Sequence, residues 1–172
     1  MHLNFTPFPY LHTERLQLRP IALDDDKALF FQRTDPDMNR YIDRKKPENV
    51  EEVRQFIQTL IDAGTEGRSV FWVISLKDNP ALIGTICLWN LDLVKEKAEV
   101  GYAMHPDFQG RGYIQEAFEK VAEYAFANMQ AKTMEGVVHP ENLPSIRVLE
   151  RNGFQYKEVE DGLLVYVLET PM

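Results

Sequence analysis

The sequence has little of what several large classes of protein require. Cys87 is the only cysteine among 172 residues, so no intramolecular disulfide can form and the chain is typical of a reducing compartment. One thiol and four scattered histidines argue against a structural zinc site. No apolar run approaches the roughly 20 residues that cross a bilayer, and no secretory signal is visible. We therefore expect a cytoplasmic protein that uses no metal and does not enter a membrane.

Positive charge is also scarce. Lys and Arg number 19 against 27 Asp and Glu, which gives a net charge of −8. That balance argues against nucleic acid as a partner and modestly favours cationic partners. Apolar residues make up 44% of the chain and charged residues 27%, which is typical of a globular protein. We expect a single domain over residues 1–172, as a monomer or a homodimer.

The spacing of apolar residues predicts a mixed α/β fold in the order β-α-α-β-β-β-α-β-α-β-β. Leu16 and Leu18 alternate with polar neighbours, which predicts an edge strand at the start. The second helix is predicted to end at Gly64 and the last one at Gly153, while Asp161 and Gly162 predict the turn of a closing hairpin. We expect a mixed central sheet of about seven strands flanked by about four helices.

Two of only nine glycines, Gly110 and Gly112, stand on either side of an arginine where a long helix is predicted to begin. With Asp107 as the cap of that helix, both glycines would fall in its first turn, where each costs roughly 1 kcal/mol relative to alanine. Strand, glycine-rich loop and helix is an arrangement that binds anions, because free amides of the first turn face the ligand. Alone the motif is weak, and an uncharged structural turn is the alternative.

Residues 109–114 (Gln-Gly-Arg-Gly-Tyr-Ile) resemble the Gln/Arg-x-x-Gly-x-Gly/Ala motif of the GNAT superfamily of acyl-CoA N-acyltransferases, and match it at the first and fourth places. Residues 139–154 are similar to a second block of that family, Asn-x-x-Ser/Ala followed by Glu-Lys-x-Gly-Phe. Residues 98–118 and 13–21 resemble the RimJ/RimL branch, which acetylates N-terminal amines of ribosomal proteins. The resemblance covers about residues 12–168, nearly the whole chain.

This resemblance implies the GNAT fold and transfer of an acetyl group from acetyl-CoA to a primary amine, here a protein N-terminal α-amine. In the family, the amides of the glycine loop hold the coenzyme A pyrophosphate, and pantetheine pairs with the preceding strand where it splays from the next. The residues that the resemblance assigns to the coenzyme are Val100, Tyr102, Met104, Gln109, Gly110, Arg111, Gly112, Tyr113, Ile114, Asn142 and Ser145.

Two positions depart from the family pattern. Ile114 replaces a small residue of the loop, where a branched side chain would crowd the coenzyme or alter its tilt. Leu149 stands where many members carry a tyrosine that protonates the leaving thiolate, which leaves the acid of the reaction unassigned.

Three side chains are candidates for catalysis. Glu99, on the fourth strand, is a candidate base or else a hydrogen-bonded strand carboxylate. His139 would relay protons or anchor its loop, and Ser145 would donate to the thiolate or cap the short helix. Glu116, in the first turns of the central helix, is expected to be structural. An α-amine has a pKa roughly 2.6 units below that of lysine, so a site with no obvious strong base favours α-amines.

Other acceptors and another class of function stay open. A small amine such as a polyamine or an amino-antibiotic would suit the same chemistry, and a non-catalytic acyl-CoA-binding module would need no acid. Aromatic residues on strands usually fill the core, and Trp89 and Tyr102 are the first candidates to line an acceptor pocket instead. Acidic residues on the first two helices would attract a cationic acceptor or form solvated faces; they are residues 24–26, Glu48, Glu51 and Glu52.

Overall fold

A computed structural model describes residues 1–171, and its strands join in one eight-stranded sheet. The strands are β1 Leu11–His12, β2 Leu16–Pro20, β3 Val70–Leu76, β4 Asn79–Asp92, β5 Lys97–Met104, β6 Thr133–Val138, β7 Gln155–Glu160 and β8 Leu163–Glu169. The α-helices are α1 Asp26–Thr34, α2 Val50–Thr65, α3 Tyr113–Ala127 and α4 Leu143–Arg151. The predicted α/β fold is confirmed, with the two-residue β1 as an additional strand.

The sheet order is β1-β2-β3-β4-β5-β6-β8-β7, antiparallel except where β5 and β6 run parallel. The prediction that the first long strand lies at the edge is wrong, because β1 pairs outside it with Leu11 opposite Leu18. The predicted closing hairpin is confirmed: Asp161 and Gly162 both adopt positive φ between β7 and β8. Two consecutive residues with positive φ match the right-handed twist of a hairpin.

The two faces of the sheet carry different helices. Trp72 of β3 belongs to the core beneath α3, together with Val121 of that helix. The next residue, Val73, packs instead with Val53 and Ile57 of α2. This alternation follows from the two-residue period of a strand. We refer to the two sides as the α3–α4 face and the α1–α2 face.

One predicted helix end, at Gly64, differs in the structure. Helix α2 begins at Val50, where the Asn49 side chain accepts a hydrogen bond from the Glu52 amide at 2.9 Å. Gly64 lies inside the last turn of α2 and does not end it. Within residues 1–171 no helix has both the length and the apolar character that crossing a membrane demands.

Strands β5 and β6 stay together only at their beginnings. Residues 97–99 pair with residues 133–135, and beyond Glu99 no register joins the two strands. Strand β6 instead keeps its antiparallel pairing with β8 along its whole length. Residues 100–104 therefore present one backbone edge to a widening opening, which the loop before α3 borders at its far end.

The residue that replaces the family's tyrosine lies in the core. Leu149 is 1% exposed, and a Cβ added to Gly136 of β6 would overlap its side chain. The leucine therefore fills the space that the glycine leaves between α4 and β6. It contributes no polar group to the opening between β5 and β6.

We predict that Gly136→Ala lowers the free energy of unfolding by about 1–3 kcal/mol, because the added methyl overpacks the contact with Leu149. Urea denaturation measures this directly. Gly64→Ala is the matched control, since its Cβ would lie 3.7 Å from the Ser69 carbonyl oxygen, an ordinary contact. The control is expected to be neutral or slightly stabilising. Equal stability of Gly136→Ala and the wild type would contradict the tight packing of Leu149.

Candidate active site

The loop between β5 and α3 carries a row of free backbone amides. Within the described chain, the amides of residues 110–115 donate no hydrogen bond to another protein group. Helix α3 begins at Tyr113, and Asp107 does not cap it but lies in a separate 3-10 turn. The expectation that the two glycines sit in the first helical turn is therefore wrong: they form the approach to the helix.

The glycines are required by backbone conformation. Gly110 has φ +75° and Gly112 has φ +79°, values that side-chain-bearing residues rarely adopt. A Cβ at Gly110 would meet nothing within 4 Å, so the space above this residue is open. Ile114 packs against the core of the α3–α4 face. The branched side chain is partly buried in this contact, and its effect on the coenzyme stays a prediction.

Glu116 fixes the loop to the start of the sheet. Its carboxylate accepts hydrogen bonds from the Thr13 hydroxyl, from the Arg15 amide at 2.8 Å and from Arg15 Nε at 2.7 Å. Arg15 Nη1 donates in turn to the Arg111 carbonyl oxygen at 2.9 Å. Burial on its own raises the pKa of Glu116, but the bonds from Thr13 and Arg15 outweigh it and the pKa lies below its usual range. As expected, this glutamate is structural.

The free edge of β5 continues from the loop. Val100 and Met104 direct their side chains into the core of the α3–α4 face, which leaves their backbone groups at the opening. Gln109 Nε2 donates to the Met104 carbonyl oxygen at 2.9 Å, so the last carbonyl group of this edge already has a hydrogen-bond partner. The predicted strand and loop residues thus form one continuous border.

Asn142, Ser145 and Tyr102 meet on the opposite side of the opening. The Asn142 side chain caps α4 by accepting a hydrogen bond from the Ser145 amide at 3.3 Å, so Ser145 itself is not the cap. The Tyr102 hydroxyl lies 2.6 Å from Ser145 Oγ and donates to the Ser145 carbonyl oxygen at 3.2 Å. Burial raises the pKa of Tyr102 to about 12, against the opposing effect of the Ser145 hydrogen bond. The pair therefore joins two neutral hydroxyls.

Glu99 lies on the α1–α2 face where β5 and β6 part. It is buried and stands opposite Trp89 of β4 and Glu135 of β6. Asn90 Nδ2 donates to Glu99 Oε2 at 3.0 Å. Burial raises the pKa of Glu99, and the Glu135 carboxylate adds to this effect, while the Asn90 hydrogen bond and Lys97 oppose it.

Asn90 is a site residue that sequence reasoning missed. It has φ +47° and lies where the register of β4 against β5 shifts. Asparagine tolerates this conformation better than most residues, and the bulge turns its amide toward Glu99. No motif marks the position, because the bulge exists only once the two strands are paired.

A small apolar wall surrounds Gly101 on the same face. A Cβ added there would lie 3.1 Å from Cys87 Sγ and 3.6 Å from Trp89 Nε1. Trp89 is 47% exposed, as suits a residue expected to line a pocket. Burial raises the pKa of Cys87 to about 12. The thiol therefore stays protonated at neutral pH and is a poor nucleophile.

His139 has an anchoring position. Its ring stacks on Tyr41 at 5.1 Å between centroids, and its Nδ1 accepts a hydrogen bond from the Glu141 amide at 3.1 Å. Within residues 1–171 it makes no hydrogen bond to Glu99 or Ser145. The histidine joins the end of β6 to the segment between α1 and α2. No three or more His, Cys, Asp or Glu side chains of the described chain are grouped so that they could hold a metal ion.

Comparison with known families finds one match over most of the chain. The family described as Acetyltransferase (GNAT) domain matches residues 15–155. "Uncharacterized N-acetyltransferase p20" of Bacillus licheniformis is 33% identical over 154 residues, which cover 90% of this chain and 84% of that protein. "Uncharacterized N-acetyltransferase YoaA" of Bacillus subtilis is 34% identical over 88% of this chain and 86% of its own length.

Solved structures share the fold at lower identity. RimL, described as a ribosomal L7/L12 alpha-N-protein acetyltransferase in complex with coenzyme A, superposes with a TM-score of 0.82 at 17% identity. That superposition covers 94% of this chain and 98% of RimL. RimJ of Mycobacterium smegmatis, in complex with CoA-disulfide, gives a TM-score of 0.79 at 22% identity, over 90% of this chain and 81% of RimJ.

Proposed function

The chain belongs to the acetyltransferase (GNAT) domain family, and on that premise we propose that it transfers the acetyl group of acetyl-CoA to the α-amine of a protein N-terminus. The observation that carries this proposal is the opening between β5 and β6, with free amides at one end and Glu99 at the other. We also infer one catalytic domain over residues 1–172, because β1 and β8, near the two ends of the chain, belong to the same sheet.

The border of the opening fits coenzyme A. The amides of residues 110–115 and the positive end of the α3 dipole suit a pyrophosphate, and Gly110 leaves room for its approach. Apart from the Met104 carbonyl oxygen, which Gln109 occupies, the edge at residues 100–104 offers backbone groups to the amides of pantetheine, in the manner of an added strand. Asn142 lies across from that edge at the start of α4. When bound, acetyl-CoA supplies the activated acetyl thioester.

Glu99 is suited to receive the proton of the amine. Its Oε2 is held by Asn90, which leaves Oε1 as the acceptor atom. A carboxylate whose pKa is raised by burial is a better base than an exposed one. Trp89 and Gly101 border the same space and limit the access of water.

Ser145 is suited to supply a proton at the sulfur end, in place of the tyrosine that Leu149 replaces. Because the Asn142 side chain caps α4, the Ser145 hydroxyl is free to pair with Tyr102. Tyr102 holds Ser145 Oγ in place and, as a neutral phenol, can return a proton to it. A lower kcat for Ser145→Ala at unchanged coenzyme affinity would support this role, and an unchanged kcat would contradict it.

The choice of an α-amine rests on two considerations. RimL and RimJ, which share this fold, come from the branch that the sequence resembles, and RimL is described as an alpha-N-protein acetyltransferase. Independently, an α-amine with a pKa of about 7.7–8.0 is partly neutral at physiological pH, whereas a lysine at about 10.4 is not. A carboxylate base is therefore sufficient for the reaction of an α-amine, but it is too weak a base for a lysine amine.

We predict that Gly112→Val weakens acetyl-CoA binding at least about tenfold, because valine disfavours φ +79° and displaces the amides that face the pyrophosphate. Isothermal calorimetry measures the affinity. Gly162→Val is the matched control, since Gly162 has φ +78° in the β7–β8 turn, away from the loop. The control is expected to lose stability but keep its affinity. Equal affinity of both variants would remove the loop from the coenzyme site.

We predict that Glu99→Gln lowers kcat by about 10²–10⁴ without changing coenzyme affinity, because the amide cannot accept a proton. In the wild type, kcat/KM should fall as pH drops through the raised pKa of Glu99, and the variant should lack that limb. Glu135→Gln is the control: it removes a charge that raises the pKa of Glu99, so the limb should shift to lower pH. A pH profile of Glu99→Gln with the height and shape of the wild type would exclude the carboxylate as base.

We predict that a peptide with a free α-amine is acetylated with a higher kcat/KM than the same peptide with a blocked N-terminus and an internal lysine. The difference should be at least about tenfold, given the lower pKa of the α-amine. Release of thiol from acetyl-CoA gives both rates. A ratio of one or less, together with fast acetylation of a polyamine, would assign the protein to small amines instead.

A further inference from the structure

A small basic pocket lies between the C-terminal end of α1 and the N-terminal end of α2. Its volume is about 150 Å³, and its lining residues include Arg33, Lys45 and Lys46 beside Phe56 and Glu52. Three cations around one small pocket are unexpected in a chain with a net charge of −8. We call these three side chains together with Arg44 the loop cations.

The loop cations have no carboxylate partner. Within residues 1–171, none of the four forms an ion pair with an Asp or Glu side chain. The Arg33 guanidinium lies over the Phe56 ring at 4.0 Å, and Arg44 Nη2 donates to Asn39 Oδ1 at 3.1 Å. Both contacts orient a guanidinium and leave its charge uncompensated.

Two of these charges also repel each other. Burial, with a smaller contribution from the nearby Arg44, lowers the pKa of Arg33 to about 10. Burial lowers the pKa of Arg44 as well. Both stay protonated at neutral pH, so folding brings two partly desolvated positive charges together without a compensating anion. An anionic ligand would relieve this repulsion.

The surrounding carboxylates do not fill that role. Glu52, which lines the pocket, accepts a hydrogen bond from the Glu48 amide at 2.9 Å, and Asp37 pairs with Arg40 at 2.8 Å. Asp35 accepts from the Met38 amide at 3.0 Å. Asp43 precedes Arg44 in the chain but forms no ion pair with it among the described residues.

Three of the six acidic residues that would attract a cationic acceptor form ion pairs within the protein. Asp25 pairs with Arg19 at 2.7 Å, and Asp26 pairs with Arg54 at 3.0 Å. Glu51 lies 3.9 Å from the same Arg54. The other three residues of that acidic set form no ion pair among residues 1–171, so the attraction of a cationic acceptor by this set stays a prediction.

We propose that the pocket lined by Arg33, Lys45 and Lys46, with Arg44 nearby, is an anion-binding site that takes a carboxylate or a phosphate group. Guanidinium groups present paired N–H donors to the oxygens of either anion, and the two lysines add mobile charge. The same α1–α2 segment reaches the end of β6 through the stack of Tyr41 on His139. An acidic side chain downstream of the acetylated amine is one source of the anion, and this source rests on the proposed function. A free phosphate-bearing ligand is the other source.

The variant that tests the site is Lys45→Gln/Lys46→Gln, since both lysines are exposed and their replacement leaves the core intact. The matched control is Lys27→Gln/Lys77→Gln, which changes net charge equally at two other exposed positions. Inorganic phosphate is titrated into each protein at low and high salt, and binding is followed by NMR of the backbone amides. We expect shifts around residues 33 and 44–47, with affinity about tenfold weaker in the first variant and unchanged in the control.

The acceptor source is tested with two peptides that share a free α-amine and differ only in downstream glutamate or glutamine. We expect kcat/KM about tenfold higher for the glutamate peptide, with the preference lost in Lys45→Gln/Lys46→Gln and kept in the control. A preference with no phosphate binding supports the site with an acceptor-borne carboxylate. Phosphate binding without a preference supports it with a free ligand.

The proposal is overturned if neither phosphate binding nor peptide preference depends on Lys45 and Lys46. The phosphate titration requires no acetyl transfer, so its result is independent of the acceptor. If neither peptide is acetylated and phosphate binding still depends on the two lysines, the proposed acceptor fails and the anion site stands.

Discussion

The loss of pairing between β5 and β6 after Glu99 is the constraint on which the candidate site depends. A parallel pair that continued to Met104 would bury the backbone edge that now faces the opening. Strand β6 can leave β5 because β8 satisfies its other edge along the whole strand. The unpaired backbone N–H and C=O groups of β5 remain open to solvent or to a ligand. If they were buried without a hydrogen-bond partner, they would lower the stability of the fold. The C-terminal hairpin thus allows β6 to separate from β5 without losing its own strand pairing.

The separation of β5 and β6 also divides the candidate site residues between the two faces of the sheet. The glycine loop, Tyr102 and Ser145 belong to the side of α3 and α4, whereas Glu99, Asn90 and Trp89 belong to the side of α1 and α2. A thioester that passes between the strands would have hydroxyl groups on one side and a carboxylate on the other. If Glu99 and Ser145 have the roles proposed for them, the sheet separates the group that accepts a proton from the group that donates one.

The charged groups that are available to a ligand depend more on the fold than on the composition. The net charge of −8 favoured a cationic partner, yet Asp25 and Asp26, at the start of the first helix, are held in ion pairs with Arg19 and Arg54. Arg33 and Arg44 are among the cations that form no ion pair with a carboxylate in the described chain. A total charge counts groups without regard to their neighbours, and it is the neighbours that decide which charges remain available to a ligand.

The sequence by itself determined the family, the order of the elements and the position of the glycine loop, because these depend on local spacing. Gly110 and Gly112, the stripe of α3 and the turn at Asp161 and Gly162 are readable within a few residues. Only the tertiary structure decided that Asn90 holds Glu99, that Tyr102 meets Ser145 and that Leu149 fills the space beside Gly136. These contacts join residues distant in the chain or depend on a bulge and a register. They exist only after the sheet has formed, since strand pairing rather than sequence spacing decides which side chains meet.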